Sequence, residues 1–267
     1  MIDTVFRYPG AKNKYLPILM EYIDPLLKEQ KSFIDVFVGG GSVLLEVAKK
    51  YPDAQLYAND MDYWMYCFWN IVAGQDKSKL DELLELINIQ PTLELFYKLR
   101  EEESIDDIAC AYRAVFFNRT TFSGILNSGP IGGKDQKSKY KVDCRYNSKK
   151  IRQKILNCNS LLSGRTTVTN SDFNSLHPFI NTNIPAYCDP PYYIAGDSLY
   201  RERMSPQQHF VLRNILDIRN NWVLSYDDCP TIRAHYSNKS IIDLSARYCI
   251  NGKKSTWQNK NELIISP

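Results

Sequence analysis

The chain has only three histidines and no Cys-x-x-Cys pair. Its seven cysteines, at 67, 110, 144, 158, 188, 229 and 249, are scattered, with no histidine nearby at metal-ligand spacing. These absences argue against the common zinc frameworks, and the odd count argues against a complete disulfide framework; reduced, packed thiols and no metal are expected. No apolar run reaches the roughly 18 residues of a membrane span. The opening stretch, MIDTVFRYPGAKNKY, is mixed and polar, so neither a membrane anchor nor a secretory leader is read from it, and the cytoplasm or nucleoid is the expected location. The phosphate-loop pattern GxxxxGK(S/T) is missing as well. His177, His209 and His235 show no mutual spacing and read as surface or core residues.

What is present is enough apolar material, 44% of 267 residues, for one large α/β domain or a domain carrying an insertion. The run Phe33 to Val38 is apolar and is broken by Gly39, Gly40 and Gly41. Ser42 then opens VLLEVAKKY, with apolar residues at helical spacing, and AQLYAND follows as a second strand ending at Asp60. Strand, glycine turn, helix and strand make a βαβ unit, the opening of a parallel, doubly wound sheet. Strand signals return at 166–173, 184–189, 221–227, 240–248 and 262–266, with a helix expected from Pro206 to Asn220. Between the two sets lie helical spacings and then a long Gly-, Ser-, Asn- and Lys-rich stretch, with a short hairpin expected around YKVDCRY. The expectation is a discontinuous domain, 1–60 and 159–267, interrupted by a module at 61–158.

A net charge of +3 is small, but its distribution is uneven. Residues 79–107 hold nine acids against three bases, whereas residues 134–154 hold nine bases against two acids, a local +7 beside Tyr140 and Tyr146. Such a stretch is a candidate phosphate-binding surface, the plain alternative being a solvated basic face.

Two local features carry chemistry. Glycines 39–41 let backbone approach a ligand and present helix N–H groups, while an acid at the next strand end, Asp60, can accept both hydroxyls of a ribose. The dinucleotide fingerprint is incomplete, because Gly39-Gly40-Gly41-Ser42-Val43-Leu44 lacks the last small residue. The second feature is CDPPYY, Cys188 to Tyr193. Two prolines offer no N–H and force extended backbone before them, so the motif reads as a stiff strand end holding one acid and its aromatics in a fixed relation.

RYPGAKNKY, FIDVFVGGGSV, NDMD, FFNRTTFSGI, NSDF and DPPYY occur in an order that resembles the Dam-type, D12 class DNA adenine-N6 methyltransferases, from Phe6 to about Ile265. The resemblance implies a Rossmann-like seven-stranded sheet, parallel with one antiparallel strand, plus an inserted helical target-recognition module with a hairpin. It implies S-adenosylmethionine as co-substrate and double-stranded DNA as partner, with no metal. A cognate restriction endonuclease is a further candidate partner, no membrane partner is expected, and the chain is expected to act as a monomer.

The same resemblance assigns roles. Tyr8 and Lys12 stand where an aromatic and a lysine line the methionine side of the cofactor, although Arg7, Tyr8 and Pro9 replace the lysine, tryptophan and alanine usual there. Phe37 and Gly39 match the loop beneath the cofactor, Asp60 the ribose acid, and Asp172 and Phe173 the adenine neighbours. Asp189 borders both the cofactor and the reacting amine. With Pro190 it supplies two acceptors, the carboxylate and the backbone carbonyl, for an adenine N6 amine, whose lone pair can then aim at the methyl group. Tyr192 is the stacking platform for a flipped base; Tyr193 has no assigned role. Asn118 and Arg119 match a family pair that faces DNA, Arg7 is expected to reach DNA as the corresponding lysine does in the family, and Lys139, Lys141 and Arg145 are expected to follow phosphates. Cytosine-N4 methylation uses the same amine chemistry and is the enzyme alternative; a catalytically silent DNA-binding module is the other. The stretch SGPIGGKDQKSKYKVDCRYN departs from GATC-reading members, so no recognition sequence is carried over.

Overall fold

The predicted βαβ unit forms. After helix α1 (Leu16–Leu27), strand β1 (Ser32–Asp35) leads through the glycine turn into α2 (Ser42–Lys50), and β2 (Gln55–Asn59) lies parallel to β1 with Phe33 opposite Leu56 and Asp35 opposite Ala58. This computed structural model describes residues 4–7, 12–28, 30–103, 105–194, 201–249 and 257–267; Tyr8 lies outside the described residues. Past an insertion come β3 (Thr166–Thr169), β4 (Ala186–Cys188), β5 (Trp222–Asp227), β6 (Ser240–Cys249) and β7 (Trp257–Ser266). They form one seven-stranded sheet, ordered β3-β2-β1-β4-β5-β7-β6. Only β7 runs against its neighbours.

Side chains alternate across this sheet, as strand geometry requires. Phe33, Val223 and Ile264 enter a core on one face, while Ile34, Leu224, Leu263 and Ile265 enter a second core on the other. Burial on both faces is why the strands read as apolar runs rather than as alternating patterns. The order reverses between β1 and β4, and the crevice beyond the strand ends at such a reversal is where open α/β sheets bind ligands. Asp35 closes β1 and Asp189 follows β4 at that reversal.

The insertion between β2 and β3 contains α3 (Tyr63–Ala73), α4 (Lys77–Leu86), α5 (Leu93–Glu101), α6 (Asp107–Thr120) and α7 (Ser148–Leu162). Helix α3 packs on β3, and α7 packs on α2 and α3, so both cover the sheet; α4 and α5 gather instead on α6. One core runs from Leu56 and Ala58 through Trp69 to Phe116, Phe117 and Ile155. Helix α6 is buried almost all round, which accounts for the weak periodicity of its sequence. Later come the short α8 (His177–Ile180), α9 (Pro206–Asp217) and α10 (Pro230–His235). Ser205 and Gln208 close a capping box at the start of α9, and Pro206 sits in the first turn, as expected; the helix ends three residues earlier than its sequence signal.

The hairpin expected around residues 140–146 is not formed. Between α6 and α7 the described residues make a single isolated bridge, Thr121 with Pro130. The segment is instead a loop folded around Gln136, whose Oε1 accepts from the Val142 N–H at 2.8 Å while its Nε2 donates to the carbonyls of Ile131 and Gly133 at 2.8 and 2.7 Å. A side chain thus takes the hydrogen bonds that a partner strand would have made.

The glycine turn is fixed from α3. Gly41 caps α2 with φ at 71°, and an added Cβ would lie 2.4 Å from the ring of Trp69, which is fully buried and donates its indole N–H to the Gly39 carbonyl at 2.8 Å. Gly41→Ala is therefore expected to destabilise the fold by roughly 2 kcal/mol or more, seen as a lowered urea midpoint with an unchanged slope. An unchanged midpoint would show that the turn does not need glycine there.

Candidate active site

A cleft of about 1090 Å³ opens over the C-terminal ends of β1, β2 and β4, and Lys12, Asp35, Phe37, Gly39, Asp60 and Asp189 all line it. Asp172, Phe173 and Tyr187 complete one side, and the segment 201–204 crosses its mouth.

Asp60 follows β2 and ties the glycine turn to the insertion. Its Oδ2 accepts from the Gly39 N–H and its Oδ1 from the Asp62 N–H, both at 2.9 Å. Each carboxylate oxygen keeps a further lone pair for a ligand hydroxyl. Burial, with the Asp62 charge behind it, pushes the Asp60 carboxyl up to about 7. Asn59 beside it is fully engaged: its amide donates to the Val36 and Ser171 carbonyls at 3.1 and 3.0 Å and accepts from the Ser171 N–H, which pins the start of the NSDF stretch to β1. Asp172 then caps a short turn by accepting from the Asn174 N–H at 3.1 Å. The Phe37 and Phe173 ring centres stand 5.6 Å apart at a 48° tilt. A flat base between two rings needs about 7 Å, two contact distances of about 3.5 Å, so these rings form one wall rather than a sandwich.

At the other end of the cleft Lys12 is buried, 3% exposed, on a short 3-10 turn. Its ammonium donates to the Tyr192 hydroxyl at 2.6 Å and forms an ion pair with Asp189 Oδ1 at 2.9 Å. Glu262 Oε2, from β7, is 3.5 Å away on another side. Burial raises the Asp189 carboxyl to about 6 although the Lys12 charge pulls it down, and Glu262 adds to the rise. The ionised form is disfavoured by about 3 kcal/mol relative to water. Asp35 is almost fully enclosed, and one of its oxygens has no hydrogen-bond partner; burial, then Asp189 and Asp60, raise its carboxyl well above the usual range.

Beyond the two prolines, Asp227 at the end of β5 accepts the Tyr193 and Ile194 N–H groups, one on each oxygen, both at 3.0 Å. The Tyr193 ring lies 5.0 Å from that of His209, which burial holds down at about 4 and so keeps neutral at physiological pH. This carboxylate staple and ring contact fix the backbone leaving DPPY. Tyr192 itself is 4% exposed and packed into the second core. A base stacking on it must displace the groups now covering its face.

The DNA-facing candidates divide. Asn118 and Arg119 are buried rather than presented at the surface. Asn118 accepts from the Arg7 N–H at 2.7 Å and donates to the carbonyls of Arg7 and Gly124 at 3.1 and 3.0 Å, while Arg119 donates to the Val5 carbonyl. Their geometry makes them anchors for residues 5–7 on α6. Arg7 is partly exposed; burial first, then the charge of Arg145, pushes its guanidinium below the usual range. Lys139, Lys141 and Arg145 are exposed on the Gln136 loop.

Chain order had indicated Lys12, Phe37, Gly39, Asp60, Asp172, Phe173 and Asp189, and the fold brings all seven to one cleft. Asp35, Glu262, Asp227 and Trp69 were missed. The signal for Asp35 and Glu262 was a lone acid inside an apolar strand, a costly placement unless it has work to do.

The described residues hold no group of three or more His, Cys, Asp or Glu suited to a metal ion, and no helix long and apolar enough to cross a membrane. Cys67, Cys110, Cys144, Cys158, Cys188 and Cys229 are free, and all of these but Cys144 are buried.

A seven-stranded sheet in this order, with a glycine turn after β1 and acids at the ends of β2 and β4, is the arrangement of an S-adenosylmethionine-dependent methyltransferase. Residues 8–250 match the D12 class N6 adenine-specific DNA methyltransferase family, and the chain belongs to it. It is an enzyme of adenine-N6 DNA methylation. The Type II methyltransferase M.MjaIII of Methanocaldococcus jannaschii is 24% identical over 207 residues, covering 72% of this chain and 69% of that protein. Among solved structures, a precorrin-6y C5,15-methyltransferase from Geobacter metallireducens aligns over 99% of this chain and 95% of its own at 8% identity and a TM-score of 0.39. The rRNA methyltransferase aviRa from Streptomyces viridochromogenes aligns over 97% and 86% at 12% identity and a TM-score of 0.38. Likeness at that level carries no weight for function.

On the reading that the Asp189 carboxylate accepts an N–H bond of the substrate amine, methylation at saturating substrates is expected to fall as pH drops through about 6, rather than through the usual carboxylate range near 4. A pH profile of single-turnover rate reads this directly; an acid limb at or below about 4.5 would show that burial does not hold the carboxyl up.

Proposed function

We propose that this methyltransferase acts on an adenine flipped out of double-stranded DNA, with Asp189 and the Pro190 carbonyl accepting the two N–H bonds of its N6 amine. The observation that carries the reading is the position of Asp189. It stands on a proline-stiffened strand end, at the switch point of the sheet, across one cleft from Asp60 and the glycine turn.

The residues fit S-adenosylmethionine. Asp60 has lone pairs left for two ribose hydroxyls, Phe37 and Phe173 offer one apolar wall for an adenine, and the orphaned Asp35 oxygen faces the cleft near Lys12 and Asp189. When bound, the cofactor supplies an electrophilic methyl group on a sulfonium. The chain supplies orientation. Two acceptors with fixed geometry hold the amine so that its lone pair points away from the ring plane, and they stabilise positive charge developing on nitrogen. Proline at 190 and 191 leaves no N–H to compete for those acceptors. Asp227 keeps the following backbone in register, and Lys12 holds the Tyr192 hydroxyl, which sets the orientation of the ring that would meet the base.

The DNA surface is proposed to consist of Arg7 with Arg145, and of Lys139 and Lys141 on the Gln136 loop. Asn118 and Arg119 serve it indirectly by fixing residues 5–7. Phe122 extends the same surface: it is 56% exposed on the turn between α6 and the loop, where Gly124 has φ at 76° and its carbonyl accepts from Asn118. The recognition module is proposed to be narrower than the insertion, about residues 74–147, with α3 and α7 belonging to the sheet layers.

Transfer of tritiated methyl groups to mixed-sequence duplex DNA, resolved by nucleoside, tests the central reading. The wild type should yield N6-methyladenine, and Asp189→Ala should lower the rate by at least about a hundredfold. No incorporation by the wild type, or unchanged incorporation by Asp189→Ala, would sink the proposal. Replacing Lys139, Lys141 and Arg145 together by alanine should weaken duplex binding on every sequence and flatten the dependence of log affinity on log salt by about two to three units. An unchanged salt slope would remove the loop from the phosphate-contacting surface.

A further inference from the structure

Glu262 has no place in the chemistry above, yet it is among the most enclosed charges in the molecule. It lies on β7, 2% exposed, and its Oε2 has no hydrogen-bond partner. Among the described residues the cation nearest to it is the Lys12 ammonium at 3.5 Å, which stands closer to Asp189, at 2.9 Å, and hydrogen-bonds Tyr192. On β5 the residue in register with Glu262 is Asp227, whose two oxygens are taken by the Tyr193 and Ile194 amides. Among the described residues Lys12 therefore stands against two carboxylates, Asp189 and Glu262, with Asp35 lining the same cleft, so that end of the cleft carries an excess of negative charge.

An isolated buried carboxylate is costly, and an aliphatic residue would fit a strand flanked by Leu263, Ile264 and Ile265 with no such cost. A counterion for Lys12 alone is no explanation, because Asp189 already supplies one at shorter range. The excess charge matches the ligand. S-adenosylmethionine and its demethylated product share the same amino, carboxyl and nucleoside groups and differ in charge only at sulfur, cationic before transfer and neutral after it. At low local dielectric a single fixed charge acts over several ångströms without touching the ligand.

We propose that Glu262 is a specificity-determining positioning residue that, through the buried Lys12–Asp189 pair, makes the cleft favour the cationic sulfonium over the neutral thioether product. Its effect is to hasten product exchange relative to cofactor capture. This rests on the reading of the cleft as the S-adenosylmethionine site.

Calorimetric titration of the purified chain with S-adenosylmethionine, and separately with S-adenosylhomocysteine, tests it without turnover. In Glu262→Gln, which keeps the shape and removes the charge, binding of S-adenosylmethionine should weaken relative to S-adenosylhomocysteine by about three- to tenfold, whereas Glu262→Asp should hold the ratio within about twofold. Glu262→Leu removes the charge with a side chain suited to the apolar strand and should shift the ratio in the same direction. Equal weakening of both ligands, or none, overturns the proposal, since a carboxylate that only seats Lys12 would affect the two alike. In the wild type, sinefungin, which carries a protonated amine in place of the sulfonium, should bind more tightly than S-adenosylhomocysteine. The reverse order also overturns the proposal, and this readout does not depend on any variant folding. A wild type that binds none of these ligands refutes instead the reading of the cleft.

Discussion

The Lys12 ammonium, buried against Asp189, Tyr192 and Glu262, is the contact on which the rest of the site depends. A cation enclosed to this degree is tolerable only with well-placed anionic partners, because its desolvation costs several kcal/mol. Those partners come from the turn after β4 and from β7, so one side chain near the N-terminus joins two separate strands at the edge of the cleft. Just upstream, residues 5–7 are held on α6 by Asn118 and Arg119. Helix α6 packs on α3, and α3 sends Trp69 back to the glycine turn, whose Gly39 N–H reaches Asp60. These contacts tie the helices of the insertion to the glycine turn and Asp60, which line the cleft, through bonded, buried groups.

The carboxyls of the cleft set the polarity of the site. Three carboxyls, Asp35, Asp60 and Asp189, converge on one crevice, and burial raises all three. Mutual repulsion would loosen such an arrangement in the absence of cations. Here the glycine-turn and Asp62 amides oppose the charge at Asp60, the Lys12 ammonium opposes it at Asp189, and Asp35 remains with an oxygen unsatisfied. The site is thus strained toward cationic and hydroxyl-bearing ligands before any arrives, which is the electrostatic preorganisation that methyl transfer to a weak amine nucleophile requires.

Much of this was legible in the chain, for reasons that differ from residue to residue. The glycine turn and Asp60 could be read because backbone conformation and strand ends leave local signatures, and Asp189 because two prolines allow few alternatives. Lys12 could be assigned only through motif order, since nothing in its own neighbourhood signals burial. Glu262 stood out only as a lone acid in an apolar strand and Asp227 not at all, because their partners lie far away in sequence: Lys12 near the N-terminus for Glu262, and for Asp227 the backbone after β4, which pairs with β5. The burial of the Asn-Arg pair was illegible for a related reason: the same two residues serve a surface or an anchor equally well, and the helix that carries them has no exposed face to break the tie. The hairpin failed where a single glutamine side chain replaced a strand's hydrogen bonds, an outcome that β propensity does not encode.

The Gln136 loop and the cleft differ in how they are fixed, and that difference separates proposed target choice from chemistry. The loop is bound largely to itself, with Val142 and Tyr146 as its buried footholds and the Tyr146 hydroxyl donating to the Ile87 carbonyl at 3.1 Å. Its exposed bases can change without moving any strand end. Arg7 is different, because its backbone is clamped by Asn118, which also holds the Gly124 carbonyl, so displacement there is felt on α6 and the turn that follows it. Variation in which DNA is proposed to be read is therefore cheapest within residues 130–146, and more costly at residues 5–7, where a change of contact also disturbs the buried Asn118 and Arg119.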